Sequence, residues 1–427
     1  MRIEGYIEFL RALFKAIRAG NSFKSSFYRL AKTMLNYEEY PLMYHLSIEA
    51  LKRYGLVKLL VSELNKFIKD REYAEALAAL VVILESNSLR RAINNVLSKY
   101  KVPYSANALL EITIKKLDRM DFMNALAYRY SVPLWFVKYM INLLGKEEAL
   151  SLLKSFLTRD VIWIRVNTLK ISVGDVISSF RRVGIRVERD EDFPILLKVS
   201  SKYLRRVATL NMVREFKIFI QDKASVAAVY CLDPEPGETV LDMCAAPGLK
   251  TSLIAQLMEC KGNIVAIDIS KKRINAMRNL IKHLCKRDVE VIIADSRRIS
   301  ITKRFDKVLL DAPCTSSGAL SIDPSLRVRL EHCKVDKYRE VQRDLLFKAL
   351  QLGDIVTYCV CSVLPDEGER LIDYVLAKGR ASLLDPKIPG SRGYRGFTCS
   401  PLVRRYFPHL HKTQGFFIAK LKSVNSL

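Results

Sequence analysis

Two cysteines are the residues of this chain best suited to covalent chemistry: Cys314, in Asp-Ala-Pro-Cys, and Cys361, in Cys-Val-Cys-Ser. A thiol becomes a nucleophile near neutrality once its pKa is lowered. Each cysteine lies where an apolar, strand-like run ends, the first closing Phe305–Cys314 and the second at the end of Gly353–Cys361. Acids close further runs of the same kind: Asp242, Asp268, Asp295 and Asp311. Open α/β sheets bind their ligands at the C-terminal ends of strands, and an acid at the end of a second strand is where ribose hydroxyls are held. Between Asp242 and the helix-like run from Ser252 to Met258 comes a turn rich in small residues, Cys244-Ala245-Ala246-Pro247-Gly248-Leu249-Lys250. Strand, tight turn and helix together place a ligand at a helix N-terminus. The turn matches neither G-x-G-x-x-G nor a Walker A loop.

The elements that must position these residues follow from periodicity. Helical patterns over 270–284 and 335–350 separate the apolar runs, which predicts a parallel sheet covered on both faces. Two more strands are expected at 381–385 and 415–421. Residues 1–125 read as all helix, with Ile7, Leu10, Phe14 and Ile17 at helical spacing, and Leu77, Leu80, Val81 and Leu84 likewise. Residues 126–218 read as a small α/β segment, with a strand over Trp163–Leu169 and a helix over Val173–Val183. The remainder, 219–427, carries the candidate chemistry.

Half of the 427 residues are hydrophobic, enough for sizeable cores, and the net charge of +25 favours a polyanionic partner, usually nucleic acid. Nine cysteines without a C-x-x-C pair fit neither a zinc site nor a disulfide framework, so reduced thiols and no metal are expected. No apolar run approaches the roughly 18 residues of a membrane span. Glu4, Glu8 and Arg11 interrupt any signal-peptide pattern. A cytoplasmic monomer is the expectation.

Several ordered motifs then converge. Asp-Met-Cys-Ala-Ala-Pro-Gly-Leu-Lys-Thr (242–251), Asp-Ala-Pro-Cys (311–314) and Tyr-Cys-Val-Cys-Ser-Val-Leu-Pro-Asp-Glu-Gly-Glu (358–369) resemble the RsmB/NOP (Sun-type) family of S-adenosylmethionine-dependent RNA cytosine-5 methyltransferases. The resemblance extends to Trp163–Lys170, to Ile220–Ser225 and to Thr413–Ala419. It implies a class I methyltransferase Rossmann-like sheet closed by an antiparallel hairpin. A small α/β RNA-positioning subdomain and an all-helical, NusB-like N-terminal domain would precede it. The cofactor would be S-adenosylmethionine and the partner RNA; ribosomal RNA is placed ahead of transfer RNA because NusB-like extensions accompany that activity in the family.

The implied roles fall residue by residue. Carbon 5 of cytosine is a poor nucleophile until a thiolate adds to carbon 6, so the chemistry needs a cysteine, a contact at ring N3 and a base. By resemblance Cys361 is that nucleophile and Cys314 assists release. The cysteine of a Pro-Cys motif serves DNA cytosine-5 methyltransferases, which makes Cys314 the rival. Asp311 is expected to be protonated by burial and to contact N3, and Lys250 to help lower a thiol pKa. The Cys244–Lys250 loop, Asp268, Arg273, Asp295 and Asp311 are expected to hold the cofactor, Arg273 reaching its carboxylate or bracing the loop. Arg165 and Asn167 match the subdomain's R-V-N motif and are expected at the RNA, with a structural polar link as the alternative. The Arg- and Gly-rich stretch 390–406 is expected to be a surface loop near RNA or a flexible connection. Two departures from the family pattern are Leu249, where a second Gly is usual, and Val360, where Thr is usual. The reading from a different class is a non-catalytic RNA-binding or ribosome-assembly factor on the same fold.

Overall fold

The structure is a computed structural model that describes residues 3–83, 86–284 and 289–424. Leu84, counted above in a helical pattern, lies outside the described residues. The chain forms two compact units. One comprises 1–157 together with 320–332, and the other 158–319 with 333–427.

The first unit is helical, running from Ile3–Arg18 to Lys146–Ser155. Amphipathic stripes explain its core: Ile7, Leu10, Phe14 and Ile17 of the first helix are fully buried among Leu60, Leu64, Leu77 and Leu80. Side-chain caps start several of its helices, Ser22, Ser86, Ser105 and Asp121 each accepting from a backbone N–H of the first turn. The segment 320–332 belongs here through Arg327, whose guanidinium donates to the carbonyls of Leu320 (2.6 Å) and Phe156 (2.7 Å).

The second unit carries two sheets. Strands β1 (Val161–Val166), β2 (Val187–Arg189), β3 (Leu196–Ser200) and β4 (Ile218–Ile220) form an antiparallel sheet in the order β2-β3-β1-β4. Ile162, Ile164 and Val166 face the helix Val173–Arg182, packing with Val176 and Phe180. The alternate residue Trp163 packs with Ala224 and Val240 of the larger domain, so β1 is buried on both faces.

The larger sheet contains β5 (Thr239–Asp242), β6 (Asn263–Asp268), β7 (Val289–Ile293), β8 (Phe305–Asp311), β9 (Gly353–Val360), β10 (Ala381–Leu384), β11 (Val403–Tyr406) and β12 (Phe416–Ser423). The order is β10-β12-β9-β8-β5-β6-β7, with β11 also paired to β12. Strands β5 to β9 pair in parallel, while β12 runs antiparallel to β9 and to β10. This is the Rossmann-like methyltransferase sheet with a closing hairpin. From β5 the chain first adds β6 and β7 on one side, then β8 and β9 on the other. The strand order therefore reverses beside β5, which is where such sheets open a crevice.

Two expectations change. The stretch 390–406 is not a plain surface connection: it ends in β11, and Arg405 is buried there. Its Nε donates to Glu369 Oε1 at 2.6 Å, Nη1 donates to the Ser362 carbonyl at 3.1 Å, and the ring of Tyr394 lies 4.2 Å beneath. Nor are all thiols free, since Cys260 is disulfide-bonded. A disulfide needs only two Cβ atoms within reach, which spacing in sequence does not reveal. Among the described residues no helix is long and apolar enough to cross a membrane, and no group of three or more His, Cys, Asp or Glu could hold a metal ion.

Because Arg405 and Glu369 are both inaccessible to solvent, removing one leaves an uncompensated buried charge. Arg405→Met is expected to destabilise the second unit by about 3–5 kcal/mol. Urea denaturation followed by circular dichroism checks this, and a loss below about 1 kcal/mol would contradict it.

Candidate active site

The C-terminal ends of β5, β6, β7, β8 and β9 meet around a cavity of about 340 Å³, within the usual range for small-molecule sites. Cys244, Ala246, Asp268, Arg273, Asp295, Asp311, Cys314 and Cys361 line it. Residues from five separate strand ends thus come to one place, because a parallel sheet aligns those ends on one edge.

The two sulfurs face each other. Cys314 Sγ and Cys361 Sγ lie 3.4 Å apart, and Ser316 Oγ is 3.4 Å from Cys361 Sγ and 3.9 Å from Cys314 Sγ. Ser316 sits at φ 56°, a left-handed conformation uncommon for non-glycine residues. Hydrogen bonding with the Cys314 thiol lowers the Cys361 pKa against the opposing effect of burial, and the contact with Ser316 adds to the fall. The same contact, joined by burial, pushes Cys314 well up. The pair is therefore asymmetric: Cys361 is the better thiolate and Cys314 holds the proton. Lys250 also lowers Cys361, by its charge, but ranks behind Cys314.

Lys250 Nζ donates to Asp311 Oδ2 at 2.6 Å, and Cys359 Sγ lies 3.5 Å from Asp311 Oδ1. Burial opposes the charge on Lys250, but the carboxylate of Asp311 outweighs it and raises the pKa. Asp311 was expected to donate a hydrogen bond, but toward Lys250 it accepts one. An ion-paired carboxylate accepts hydrogen bonds, and the neighbouring ammonium is the donor.

The small-residue loop is shaped from within. Gly248 sits at φ 99°, and a Cβ there would fall 2.7 Å from Met277 Cγ, so packing on the helix Lys271–Lys282 demands glycine. Leu249 begins the following helix, Leu249–Leu257, and the next position, Lys250, still reaches Asp311. Asp268 accepts from Ala246 N–H (3.1 Å), Ser270 N–H (2.8 Å) and Arg273 Nη2 (3.0 Å). Arg273 also donates to the Ala246 carbonyl at 3.4 Å, which braces the loop. Asp295 pairs with Arg297 at 2.6 Å.

These residues fit S-adenosylmethionine. The carboxylate of Asp268 keeps a free lone pair on Oδ2 for a ribose hydroxyl, and beside it Ile269 stands 65% exposed at the cavity, an apolar surface suited to a flat base. Sequence reasoning missed Ile269. Its signal was an isoleucine continuing past the acid that ends β6.

Arg165 and Asn167 are not placed for RNA, because both are 0% exposed. Arg165 donates to Gln221 Oε1 (2.6 Å), Gln256 Oε1 (2.5 Å) and Ser252 Oγ (2.6 Å), stacked 4.2 Å from Phe219. Asn167 donates to the Phe216 carbonyl at 2.9 Å. Arg165 shares a face of β1 with Trp163, and that face is covered. The guanidinium therefore fastens the small sheet to the helix behind the cofactor loop.

Sequence reasoning also missed Glu367. Its carboxylate accepts from Thr315 N–H (2.8 Å), Thr315 Oγ1 (2.5 Å), Gln342 Nε2 (3.1 Å) and Ser362 Oγ (2.6 Å).

Comparison with known proteins follows the same lines. The family model described as 16S rRNA methyltransferase RsmB/F matches residues 229–422, and that of the RsmF/B-like ferredoxin-like domain matches 132–203. A tRNA (cytosine(72)-C(5))-methyltransferase of Pyrococcus horikoshii is 34% identical over 52% of this chain and 57% of its own length. A mouse 28S rRNA (cytosine-C(5))-methyltransferase is 28% identical over 70% of this chain and 40% of its own. The chain thus spans about half the length of these curated relatives. Among solved structures, the protein PH0851 superposes on 98% of this chain and 99% of its own, with a TM-score of 0.78 and 29% identity. A methyltransferase homologue protein from Pyrococcus horikoshii covers 71% of this chain and all of its own, with a TM-score of 0.64 and 30% identity.

Asp242 supplies a test of the site's electrostatics. Burial pushes its carboxyl up from 3.8 to about 7; the hydrogen bond from Thr251 at 2.6 Å offsets this in part, while the charge of Asp311 adds to it. Between those values the folded chain keeps a proton that the unfolded chain has lost, so stability falls as pH rises through the window. Asp242→Asn is expected to remove that slope, read as melting temperature against pH. Parallel curves for the two proteins would refute the assignment.

Proposed function

From this chain's membership of the RsmB/F methyltransferase family, we propose that it transfers a methyl group from S-adenosylmethionine to carbon 5 of cytosine in RNA, through a covalent bond between Cys361 and ring carbon 6. The asymmetry of the thiol pair carries this reading: at 3.4 Å, Cys314 lends a hydrogen bond that leaves Cys361 the stronger thiolate.

S-adenosylmethionine supplies the methyl group when bound; the Cys244–Lys250 loop, Asp268, Arg273, Asp295 and Ile269 would hold it. The thiolate of Cys361 adds to carbon 6, and carbon 5 becomes enamine-like. N3 takes a proton from solvent water as the thiolate adds, which relieves the charge that addition drives onto the ring, and Asp311, held by Lys250, would accept a hydrogen bond from that N3–H. Loss of the carbon 5 and N3 protons to solvent water, with expulsion of the Cys361 thiolate, restores the aromatic base. Cys314, which holds its proton, is the group suited to return one to the departing sulfur. The target base must leave its stack to reach thiols at the sheet edge.

Phosphate contacts from the net charge of +25 support RNA as the partner, and the helical domain (1–125) belongs to this reading as a second RNA-binding element beside the small α/β segment (126–218) and the methyltransferase domain (219–427). Ribosomal RNA is the first substrate to test and transfer RNA the second. The reading includes action as a cytoplasmic monomer.

The test is a denaturing gel of wild type, Cys314→Ala and Cys361→Ala, each with S-adenosylmethionine and labelled unmodified ribosomal or transfer RNA. A retarded RNA–protein band is expected in Cys314→Ala alone, with methyl transfer abolished in Cys361→Ala. A band confined to Cys361→Ala would exchange the two roles. Wild type that binds both RNAs but methylates neither would favour a non-catalytic RNA-binding factor.

A further inference from the structure

We propose that Glu367 is the positioning residue of the thiol pair: its carboxylate ties the Cys314 loop to the Cys361 loop and brings negative charge beside Cys314. The proposal rests on the reading of Cys361 as nucleophile, and it goes beyond that reading by naming what sets the nucleophile's partner.

The geometry is that of a hub. Thr315, next to Cys314, gives Glu367 both its N–H and its hydroxyl, at 2.8 and 2.5 Å. Ser362, next to Cys361, gives its hydroxyl at 2.6 Å. Gln342, from the helix His332–Leu352, spends one amide on both Glu367 Oε1 (3.1 Å) and the Pro313 carbonyl (2.9 Å). One buried carboxylate thus fixes the residues flanking both sulfurs, in two loops that are remote in sequence. Glu367 is itself held from behind: Tyr358 Oη donates to its carbonyl at 2.7 Å. No cation contacts its carboxylate among the bonds described; all four donors are neutral. The nearby Arg405 is instead paired to Glu369.

An anion solvated only by neutral donors in a dry interior still projects its charge. The charged and titratable groups facing the pair are few. Cys314 meets Cys361 and the charge of Glu367, which both raise its pKa, with Tyr358 close by. Cys361 meets Cys314, Asp311 and Lys250. Negative charge on the Cys314 side makes Cys314 the thiol harder to ionise, so the thiolate settles on Cys361. Burial raises the carboxyl of Glu367 as well, while its four hydrogen bonds hold it down.

Glu367→Gln separates charge from shape. The two hydroxyls of Thr315 and Ser362 can turn and accept from the new amide, so the tether survives and only the charge goes. The measurement is the pH dependence of iodoacetamide alkylation of Cys314, read by mass spectrometry in the Cys361→Ala background. It needs neither RNA nor cofactor, so it stands apart from any failure of the methyltransferase reading. Glu367→Gln is expected to move the Cys314 profile down by about one pH unit, and Glu367→Asp, which keeps the charge, is expected to leave it in place. A Gln profile superposed on that of the parent, or an Asp profile shifted as far as that of Gln, overturns the proposal. If Glu367→Gln does not fold, Thr315→Val removes one arm of the tether at constant volume. Hydrogen peroxide should then join Cys314 and Cys361 several-fold more slowly than in wild type; an unchanged rate overturns the positioning role.

Discussion

Two thiols in van der Waals contact do not ionise independently; the first proton lost changes the cost of losing the second. The contact between Cys314 and Cys361, 3.4 Å from sulfur to sulfur, is the constraint that the surrounding structure serves. Cys361 follows β9 directly and Cys314 follows β8 by way of Ala312 and Pro313, and β8 pairs with β9 in parallel. The sheet brings the two loops to one edge, but it leaves their conformation open. The carboxylate of Glu367 and the left-handed turn at Ser316 supply the rest. Asp311, which lines the same cavity, is held by an ion pair with Lys250.

Much of the fold was legible because parallel strands buried on both faces are written as unbroken apolar runs. Thr239–Asp242, Asn263–Asp268, Val289–Ile293, Phe305–Asp311 and Gly353–Val360 all stand close to where periodicity put them. What escaped is what such runs do not record. Strand β4 has three residues, too few to show alternation. Strand β11 hides in an Arg- and Gly-rich stretch, since the inward residue at its centre is an arginine that looks like surface until Glu369 is placed beside it.

The site was legible to the same extent. Strand-end acids and cysteines identify themselves by position. Partners do not: Arg165 meets Gln221, Ser252 and Gln256, each remote in sequence and none acidic, so nothing near the motif signalled burial. Arg165 was expected at the RNA because it matches the R-V-N motif, with a structural polar link as the alternative; it is buried, as Arg327 and Arg405 are. Net charge overstates the charge available to a polyanion whenever guanidinium groups serve as internal fasteners.

The helical unit is assembled from residues 1–157 and from 320–332, and this split has a consequence for biosynthesis. A ribosome delivers the first part long before the second. Until residue 332 has emerged, Phe156 lacks the guanidinium of Arg327 on its carbonyl, and the helical core lacks Val328 against its flank. In the interval the chain must make β1 to β8 and the loop of Cys314. The N-terminal unit is thus completed by a late arrival, and its final packing is timed by synthesis of the methyltransferase sheet rather than preceding it.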